Sequence, residues 1–493
     1  MDPRTPVIVG VGQVTNRRER TVDVLTLMEE AVRAADLDAG GRALSQVGSI
    51  QILSSVSKRY GSSATTLGTR LGIPDGERIT TTVGGSTPQW LISQACDRIV
   101  AGELDGVLIA GGEALDSARR AAKEGITFDA DEEASDQDTL IGDDRPPVSD
   151  AEIRAGVIAP AQIYPMFEQA LAARDGRTPA EQRQWLGDLM SRFTAVAARN
   201  ADHAWFPIER EPSFISEVSA DNRMIAEPYT KNLNAIIQVD MAAAIIVLSA
   251  SAAEAAGVPR DRWVFPWTGA KADDVYLVSE RPVLTEARGI AAAAAAGLDT
   301  AGISIDDVSH VDIYSCFPSA VQMGAAALGL QVDDPRGLTV TGGLSFFGGP
   351  GNNYMTHSIS VMAGLMREDP SRIGVVTGVS WYMSKHTFGI YSATPPKDGW
   401  RAASTSDAQA TIDATALEIA SRPDGDAVVD AFTVEHDRDT GPARAAVYAT
   451  LADGRRAIAK PARPSIPMEL TGRSIVGAKV RISSGEGGTV YEI

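Results

Sequence analysis

Apolar residues near the start of the chain occur in short runs and then at helical spacing. Residues 6–13 form an apolar run that ends at glycines, which predicts a buried first strand. Residues 21–35 then place Val24, Met28 and Ala31 on one helical face. Buried strands that alternate with amphipathic helices predict an α/β protein whose sheets are mostly parallel and lie between helices.

This pattern occurs twice along the chain. Six residues of the first unit recur at one constant offset: Leu37, Asp38, Gly41, Val47, Ile50 and Ile52 match Leu298, Asp299, Gly302, Val308, Val311 and Ile313. A second match pairs Gly106-Val107 with Gly374-Val375. The repeat therefore predicts two related α/β halves.

A glycine-rich segment precedes the third helical pattern. Gly84, Gly85, Ser86, Thr87 and Pro88 suit a tight turn into a helix, in which glycine supplies an unusual φ and Ser or Thr caps the helix. Such an elbow presents N–H groups and a side chain to a pocket. The alternative is an ordinary joint between a strand and a helix.

Two further regions have a different composition. Residues 129–150 are acidic and rich in turn residues, which predicts a solvated surface loop. The runs 427–434, 445–451, 475–483 and 488–493 alternate apolar and polar residues between turns, which predicts a small β-barrel. Because this barrel lacks an aromatic or basic stripe, we do not expect it to bind nucleic acid.

Composition narrows the function classes. The chain has 493 residues, of which 44% are hydrophobic, a net charge of −19 and two cysteines. The negative charge disfavours nucleic acid and anionic membranes as partners. We expect no signal peptide, no membrane span, no disulfide framework and a cytoplasmic location, since the N-terminus lacks a long apolar core and the two thiols suit a reducing compartment.

The elbow, the strand that ends in Gly111-Gly112-Glu113, and the segments 310–318 and 340–353 resemble the thiolase superfamily. They are most similar to its thiolase-like protein type 1 branch, which is acetyl-CoA acetyltransferase-like and carries an extra C-terminal domain. The resemblance implies a duplicated five-layer αβαβα thiolase fold with a helical loop domain and an OB-like C-terminal barrel. The implied boundaries are 1–117 with 235–258 for the first half, 118–234 for the loop domain, 259–398 for the second half, and 399–493 for the additional domain.

The resemblance also implies catalytic positions, and this sequence departs from them. The nucleophilic cysteine falls on Gly84, or on Val83 or Thr82 after a register shift, and none of these has a thiol. The catalytic histidine falls on Gly349, and His357 lies too far along to replace it. The last cysteine motif falls on 377–380, again without a cysteine. The usual acyl-enzyme mechanism therefore lacks its nucleophile.

Several other residues in these motif segments and near them have side chains or N–H groups that could take part in binding or catalysis. The candidate catalytic residues are His386, Tyr314, Cys316 and Ser86; the candidate pocket and oxyanion residues are Gly84, Gly85, Asn352, Asn353 and Gly349; and the candidate CoA contact is Lys231. His386 is the candidate titrating group because histidine titrates near neutrality. Tyr314 replaces an Asn or His of the family and can donate to an enolate.

Three functions follow. The first is acyltransferase-type or C–C bond-cleaving or bond-forming chemistry, including a retro-aldol reaction, on CoA thioesters without the usual cysteine. The second is a conventional acetyltransferase that recruits Cys316 or Cys96. The third is non-catalytic binding of acyl-CoA or lipid. We expect a CoA thioester as ligand, no metal, no nucleotide redox cofactor, and a monomer or homodimer.

Overall fold

A computed structural model describes residues 1–58, 61–73, 75–128 and 138–493. Its strands are β1 Pro6–Thr15, β2 Ser49–Ile52, β3 Glu77–Thr81, β4 Gly106–Ala114, β5 Thr139–Ile141, β6 Met224–Ala226, β7 Tyr229–Thr230, β8 Asp240–Ser249, β9 Phe265–Asp273, β10 His310–Asp312, β11 Gly374–Ser380, β12 Lys385–Ser392, β13 Arg401–Ala402, β14 Gly425–Asp437, β15 Gly441–Leu451, β16 Arg456–Pro461, β17 Lys479–Gly485 and β18 Gly488–Glu492. Its α-helices are α1 Val24–Asp38, α2 Ser63–Leu71, α3 Thr87–Ala101, α4 Leu115–Glu124, α5 Asp150–Ala155, α6 Pro160–Arg174, α7 Pro179–Arg199, α8 Pro212–Ser216, α9 Ala250–Ala255, α10 Arg288–Ala301, α11 Pro318–Ala327, α12 Tyr354–Glu368, α13 Ser406–Asp413 and α14 Ile466–Leu470.

The predicted duplication is confirmed by the strand order of the two central sheets. The first sheet runs β1-β8-β4-β2-β3-β5 and the second runs β10-β11-β12-β9-β13. The order β2-β4-β8-β1 in the first sheet matches β10-β11-β12-β9 in the second, with the same strand directions. The repeated residues therefore lie at equivalent places, at the end of α1 and in β2, and at the end of α10 and in β10.

The prediction of mostly parallel sheets is wrong for the middle of each half. β8 runs antiparallel to both β4 and β1, and β12 runs antiparallel to both β11 and β9. Only four residues connect β11 to β12, and so short a connection joins antiparallel neighbours.

Five layers result from packing helices on both faces of both sheets. One apolar cluster joins α1, α2 and α9 to the outer face of the first sheet. A second lies between the sheets and contains α3 and α12. A third covers the far side of the second sheet with α10, α11 and the middle of the chain, where α5 to α8 form the helical region. The two helices between the sheets, α3 and α12, thus pack the first half against the second.

The acidic segment is only partly a loop. Residues 129–137 lie outside the described residues. Within the remainder, β5 pairs in parallel with β3 at the edge of the first sheet. This pairing satisfies backbone groups that an exposed edge strand would leave open.

The C-terminal strands confirm the predicted OB-like barrel. β14, β15, β16, β18 and β17 form a closed ring in that order, because β17 pairs back onto β14. β6 and β7 from the middle of the chain extend this sheet beside β14. Two buried side-chain contacts add to this junction: Tyr448 donates to Glu152 at 2.6 Å, and Arg456 donates to the Arg281 carbonyl at 3.1 Å.

Candidate active site

The elbow is confirmed as a turn between β3 and α3. Ser86 occupies the N-cap position and Pro88 lies in the first turn of the helix. The expected capping hydrogen bond is absent at this helix end, because the Ser86 side chain has another partner.

The two elbow glycines do not have the predicted positive φ, since neither is among the left-handed residues of the described chain. They are explained by close approach of the two halves. A Cβ on Gly85 would collide with the Tyr314 hydroxyl and lie 2.6 Å from the Val379 carbonyl oxygen. A Cβ on Gly84 would lie 2.8 Å from the Ser380 Oγ. Glycine is therefore needed here for space rather than for backbone conformation.

Ser380, the last residue of β11, holds the elbow. Its Oγ lies 2.6 Å from the Ser86 Oγ and accepts a hydrogen bond from the Ser86 N–H at 3.0 Å. Thr387 on β12 adds a hydrogen bond to the Ser86 carbonyl at 3.2 Å. From the sequence, Ser380 is recognisable only as part of a motif that lacks its cysteine, and no pattern indicates Thr387.

Asn352 binds the backbone N–H of Gly84, one of the residues on which the resemblance places the family's nucleophile. Its Oδ1 accepts from the Gly84 N–H at 2.8 Å, and its amide group donates to the Ser54 carbonyl. An oxyanion site needs N–H groups that are free to meet the developing charge. The N–H groups of Gly84 and Ser86 both already have protein acceptors in this structure.

Tyr314 lies at the elbow, as the sequence suggested. Its hydroxyl lies against Gly85, its N–H donates to Thr377 Oγ1 at 2.9 Å, and its ring meets the edge of Tyr354. Burial, with a smaller contribution from Cys316, raises the pKa of Tyr314 well above its ordinary value. The group is therefore a neutral hydrogen-bond donor at physiological pH and not a base.

Neither cysteine has the properties of an activated nucleophile. Cys96 is buried in α3, and burial raises its pKa well above the ordinary value. Cys316 is partly buried beside Tyr164, and burial raises the pKa of its thiol to about 12. Because the thiolate is the reactive form, both groups are inert near neutrality.

The structure does not bring His386 to the elbow. It is fully buried, and its ring packs against Gly289 of α10, on the opposite face of β12 from Lys385 and Thr387. Its Nε2 lies 3.0 Å from Asp274 Oδ2 and 2.9 Å from the Met383 carbonyl oxygen. Both neighbours are acceptors, so Nε2 carries the proton. Side chains alternate along a strand, which places His386 away from the pocket that its neighbours line.

The turn after Ser380 is strained. Trp381 and Met383 have φ values of 55° and 57°, a region that residues with a Cβ seldom adopt. The strain is held by surrounding contacts: Tyr164 donates to the Trp381 carbonyl at 2.8 Å, and the Met383 carbonyl meets His386. His386 thus positions the turn that follows Ser380.

Three other candidates lie away from the elbow. Gly349 donates to the Ile236 carbonyl at 2.9 Å, and a Cβ there would lie 3.1 Å from the same oxygen. Asn353 donates to the Gly111 carbonyl on β4 at 2.7 Å and anchors α12. Lys231 is exposed and donates to the Asp221 carbonyl at 3.1 Å. It lines a surface cavity of about 490 Å³.

A cavity of about 200 Å³ opens beside the elbow. Its polar lining includes Thr82, Ser86, Thr87, Ser380, Thr387, Asp143, Lys271 and Lys385. Lys385 is nearly buried and lies 3.2 Å from Asp143, so its charge is paired at the wall of this cavity. Among the described residues, the lining offers hydroxyl groups, the paired Lys385 and the exposed Lys271, and it includes no histidine or cysteine. We call it the elbow cavity.

The described residues include neither a metal-binding cluster nor a membrane-spanning helix. No group of three or more His, Cys, Asp or Glu side chains in that part of the chain is arranged to hold a metal ion. No helix in that part is long and apolar enough to cross a membrane.

Two α/β halves of equal strand order, joined at this elbow, define the thiolase fold. Human mitochondrial 3-ketoacyl-CoA thiolase is similar over 80% of this chain and 100% of its own, with a TM-score of 0.56 and 16% identity. An Ltp2-ChsH2(DUF35) aldolase is similar over 80% of this chain and 98% of its own, with a TM-score of 0.57 and 17% identity. These likenesses show the fold.

A more specific likeness covers the complete chain. The crystal structure of a monomeric SCP2-thiolase like protein type 1 from Mycobacterium smegmatis is 32% identical, covers 100% of both chains and has a TM-score of 0.85. Residues 407–487 match the family described as the thiolase-like protein type 1 additional C-terminal domain. The chain belongs to the thiolase-like protein type 1 family. A search of curated proteins finds no match.

Proposed function

We propose that the protein binds CoA thioesters without forming an acyl-enzyme. One observation carries this proposal: the Gly84 N–H is already bound by Asn352. The resemblance places the family's nucleophile at Gly84, or at Val83 or Thr82 after a register shift, and none of these residues has a thiol. Covalent acyl transfer needs both a nucleophile and a free oxyanion donor at this place. The raised pKa values of Cys96 and Cys316 argue against a conventional acetyltransferase that recruits either thiol.

Two cavities support a CoA ligand. In the elbow cavity the Ser86 and Ser380 hydroxyls are bonded to each other and the Thr387 hydroxyl to the Ser86 carbonyl, so Thr87 provides the hydroxyl that suits a thioester carbonyl. The surface cavity beside Lys231 has apolar walls from Phe206, Phe214 and Phe346. Its two basic side chains, Arg210 and Lys231, are matched in number by Glu217 and Asp221. CoA combines phosphates with an apolar pantetheine arm, so Lys231 remains our candidate for a phosphate contact.

A second candidate is C–C bond cleavage of a 3-hydroxyacyl-CoA by a retro-aldol reaction. The observation that favours it is the placement of the neutral Tyr314 hydroxyl against Gly85, next to Ser86. The 3-hydroxyl group would lose its proton to water and become the carbonyl of the released product as the C2–C3 bond breaks. The electron pair of that bond would form an enolate, to whose oxygen the neutral Tyr314 hydroxyl would donate, and C2 would then take a proton from water.

Intact-protein mass spectrometry, product analysis and calorimetry with CoA, 3-ketoacyl-CoA and 3-hydroxyacyl-CoA test these alternatives. Saturable binding without adduct or products supports the binding function. Products without an adduct, lost in Tyr314→Phe, support the lyase. Tyr491→Phe is the matched control, because the buried Tyr491 hydroxyl lies in the barrel without a hydrogen-bond partner among the described residues. An acyl adduct, or no binding of any thioester, would overturn the proposal.

We also propose a cytoplasmic monomer. The first sheet ends at β5, an edge strand of only three residues, and so short an edge offers little backbone for pairing with a second copy. Both cysteines are unpaired, which suits a reducing compartment. Light scattering should give a mass near 51.9 kDa, and a mass twice as large would contradict the monomer.

A further inference from the structure

A cavity of about 320 Å³ lies where the C-terminal barrel meets the helical region, and it shares no lining residue with the elbow cavity. We call it the barrel cavity and define it by Val157, Gln162, Thr433, Ala445, Lys460 and Pro467. Much of its wall is alanine and proline, so a ligand there would meet a largely apolar surface with a few polar groups. This combination and size are typical of small-molecule sites.

One buried polar group in the barrel cavity lacks a partner. Thr433 is 3% exposed, and its Oγ1 makes no hydrogen bond with any described residue. Leaving a buried hydroxyl unsatisfied costs free energy, which a polar atom of a ligand in the cavity would recover.

The charges around the barrel cavity favour an anion. The lining carries Arg444, Lys460 and Arg463 against one carboxylate, Glu435, in a chain whose net charge is −19. Glu435 is already engaged by Arg444 at 2.8 Å and by Gln162 at 2.8 Å. Arg463 is paired with two glutamates outside the lining.

Lys460 is different from these arginines. Within the described residues, no carboxylate lies within ion-pair distance of its ammonium group, and its side chain is partly buried on β16. A partly buried lysine gains more from an anionic partner than an exposed one, because solvent screens the charge less.

We propose that the barrel cavity binds an aliphatic carboxylate of medium chain length, independently of the proposed CoA-thioester site. Lys460 would meet the carboxylate, the Thr433 hydroxyl would donate to it, and the alanine and proline walls would contact the chain. The volume of the cavity suits a chain of roughly eight carbons.

Calorimetry of the full-length protein with octanoate tests the proposal. We expect saturable binding that weakens about tenfold in Lys460→Gln and about fivefold in Thr433→Val. Affinity should rise by up to about fourfold for each methylene from butanoate to octanoate. Lys479→Gln, an exposed lysine on β17 of the same barrel, is the control and should bind like the wild type.

Octan-1-ol and octylamine have the same alkyl chain as octanoate but lack its negative charge. They therefore separate the contribution of the carboxylate to binding affinity from the contribution of the alkyl chain. Both should bind at least tenfold more weakly than octanoate, a comparison that needs no variant and so does not depend on folding of a mutant. Equal binding of octanol, or full affinity in Lys460→Gln, would overturn the proposal. Loss of affinity in Lys385→Gln instead would place the carboxylate in the elbow cavity and also overturn it. Failure of CoA-thioester binding would leave these results unaffected.

Discussion

The hydroxyl oxygens of Ser86 and Ser380 lie 2.6 Å apart, and this contact joins the two halves of the molecule. Ser86 is the N-cap residue of α3 in the first half, and Ser380 is the last residue of β11 in the second half. Both side chains are buried. The residue that binds the elbow therefore comes from the opposite half, almost three hundred positions along the chain.

Ser380→Ala should lower the free energy of unfolding by about 1–3 kcal/mol, because it removes an acceptor for the Ser86 N–H and the partner of the Ser86 hydroxyl. Urea denaturation measures this change. Ser371→Ala is the control, since Ser371 also makes hydrogen bonds but is exposed, and its substitution should cost under about 0.5 kcal/mol. Equal effects would mean that the elbow contact adds nothing to stability.

Gly85→Ala should destabilise the protein by about 1–3 kcal/mol, because the new methyl group meets the Tyr314 hydroxyl and the Val379 carbonyl. Adding Tyr314→Phe should recover part of this loss, since one of the two obstacles is removed. Thermal and urea unfolding of the single and double variants measure the coupling free energy between the two substitutions.

The matched control for this series is Gly364→Ala in α12, where a Cβ meets no atom within 4 Å. It should stabilise the helix by up to about 1 kcal/mol. Additive effects of the Gly85 and Tyr314 substitutions would contradict the predicted contact.

Cys316 should react slowly with iodoacetamide in the native protein near pH 8. Burial raises the pKa of its thiol to about 12, whereas an ordinary thiol has a pKa near 9.0, so little thiolate is present. The alkylation rate should rise with pH beyond the range in which a free thiol levels off. Unfolding in urea should restore normal reactivity, and rapid native labelling at pH 8 would show that the thiol is activated.

His357 should make the protein less stable in acid. It is fully buried, and burial lowers its pKa from 6.5 to about 3. Between these values the unfolded chain binds a proton that the folded chain does not. The contribution is therefore complete above pH 6.5 and is lost as the pH falls from 6.5 towards 3, by at most about 1.4 kcal/mol per pH unit.

Urea denaturation at pH 7, 6 and 5 measures this loss, and His357→Gln should make the pH dependence shallower. Gln is chosen because it can keep a hydrogen bond to Gln13, which the His357 Nδ1 meets at 2.9 Å. An unchanged slope in the variant would assign the acid sensitivity to other groups.

Local patterns in the sequence predicted the elements well, because they record which face of a strand or helix is buried. The barrel strands and the repeated halves were recognisable from alternation and spacing alone. The same alternation could have corrected one site prediction: if Lys385 and Thr387 face the elbow, His386 between them faces α10.

Contacts between the halves could not be predicted in this way. Nothing near Gly85 in the sequence shows that Tyr314 will approach it, and nothing near Gly84 shows that Asn352 will take its N–H. These pairs depend on how two sheets pack across the central helices. The glycines suggested an unusual backbone, whereas the packing shows that they make room.

The strands of the barrel follow one another in the sequence, but the barrel contacts residues from much earlier parts of the chain. β6 pairs with β14, Glu152 receives the Tyr448 hydroxyl, and Arg456 reaches the carbonyl of Arg281. During synthesis, the middle of the chain leaves the ribosome long before these partners exist. Until the last residues are made, β6 therefore has no β14 to pair with, and the Glu152 carboxylate has its hydrogen bond from the Ser149 N–H but not the one from Tyr448.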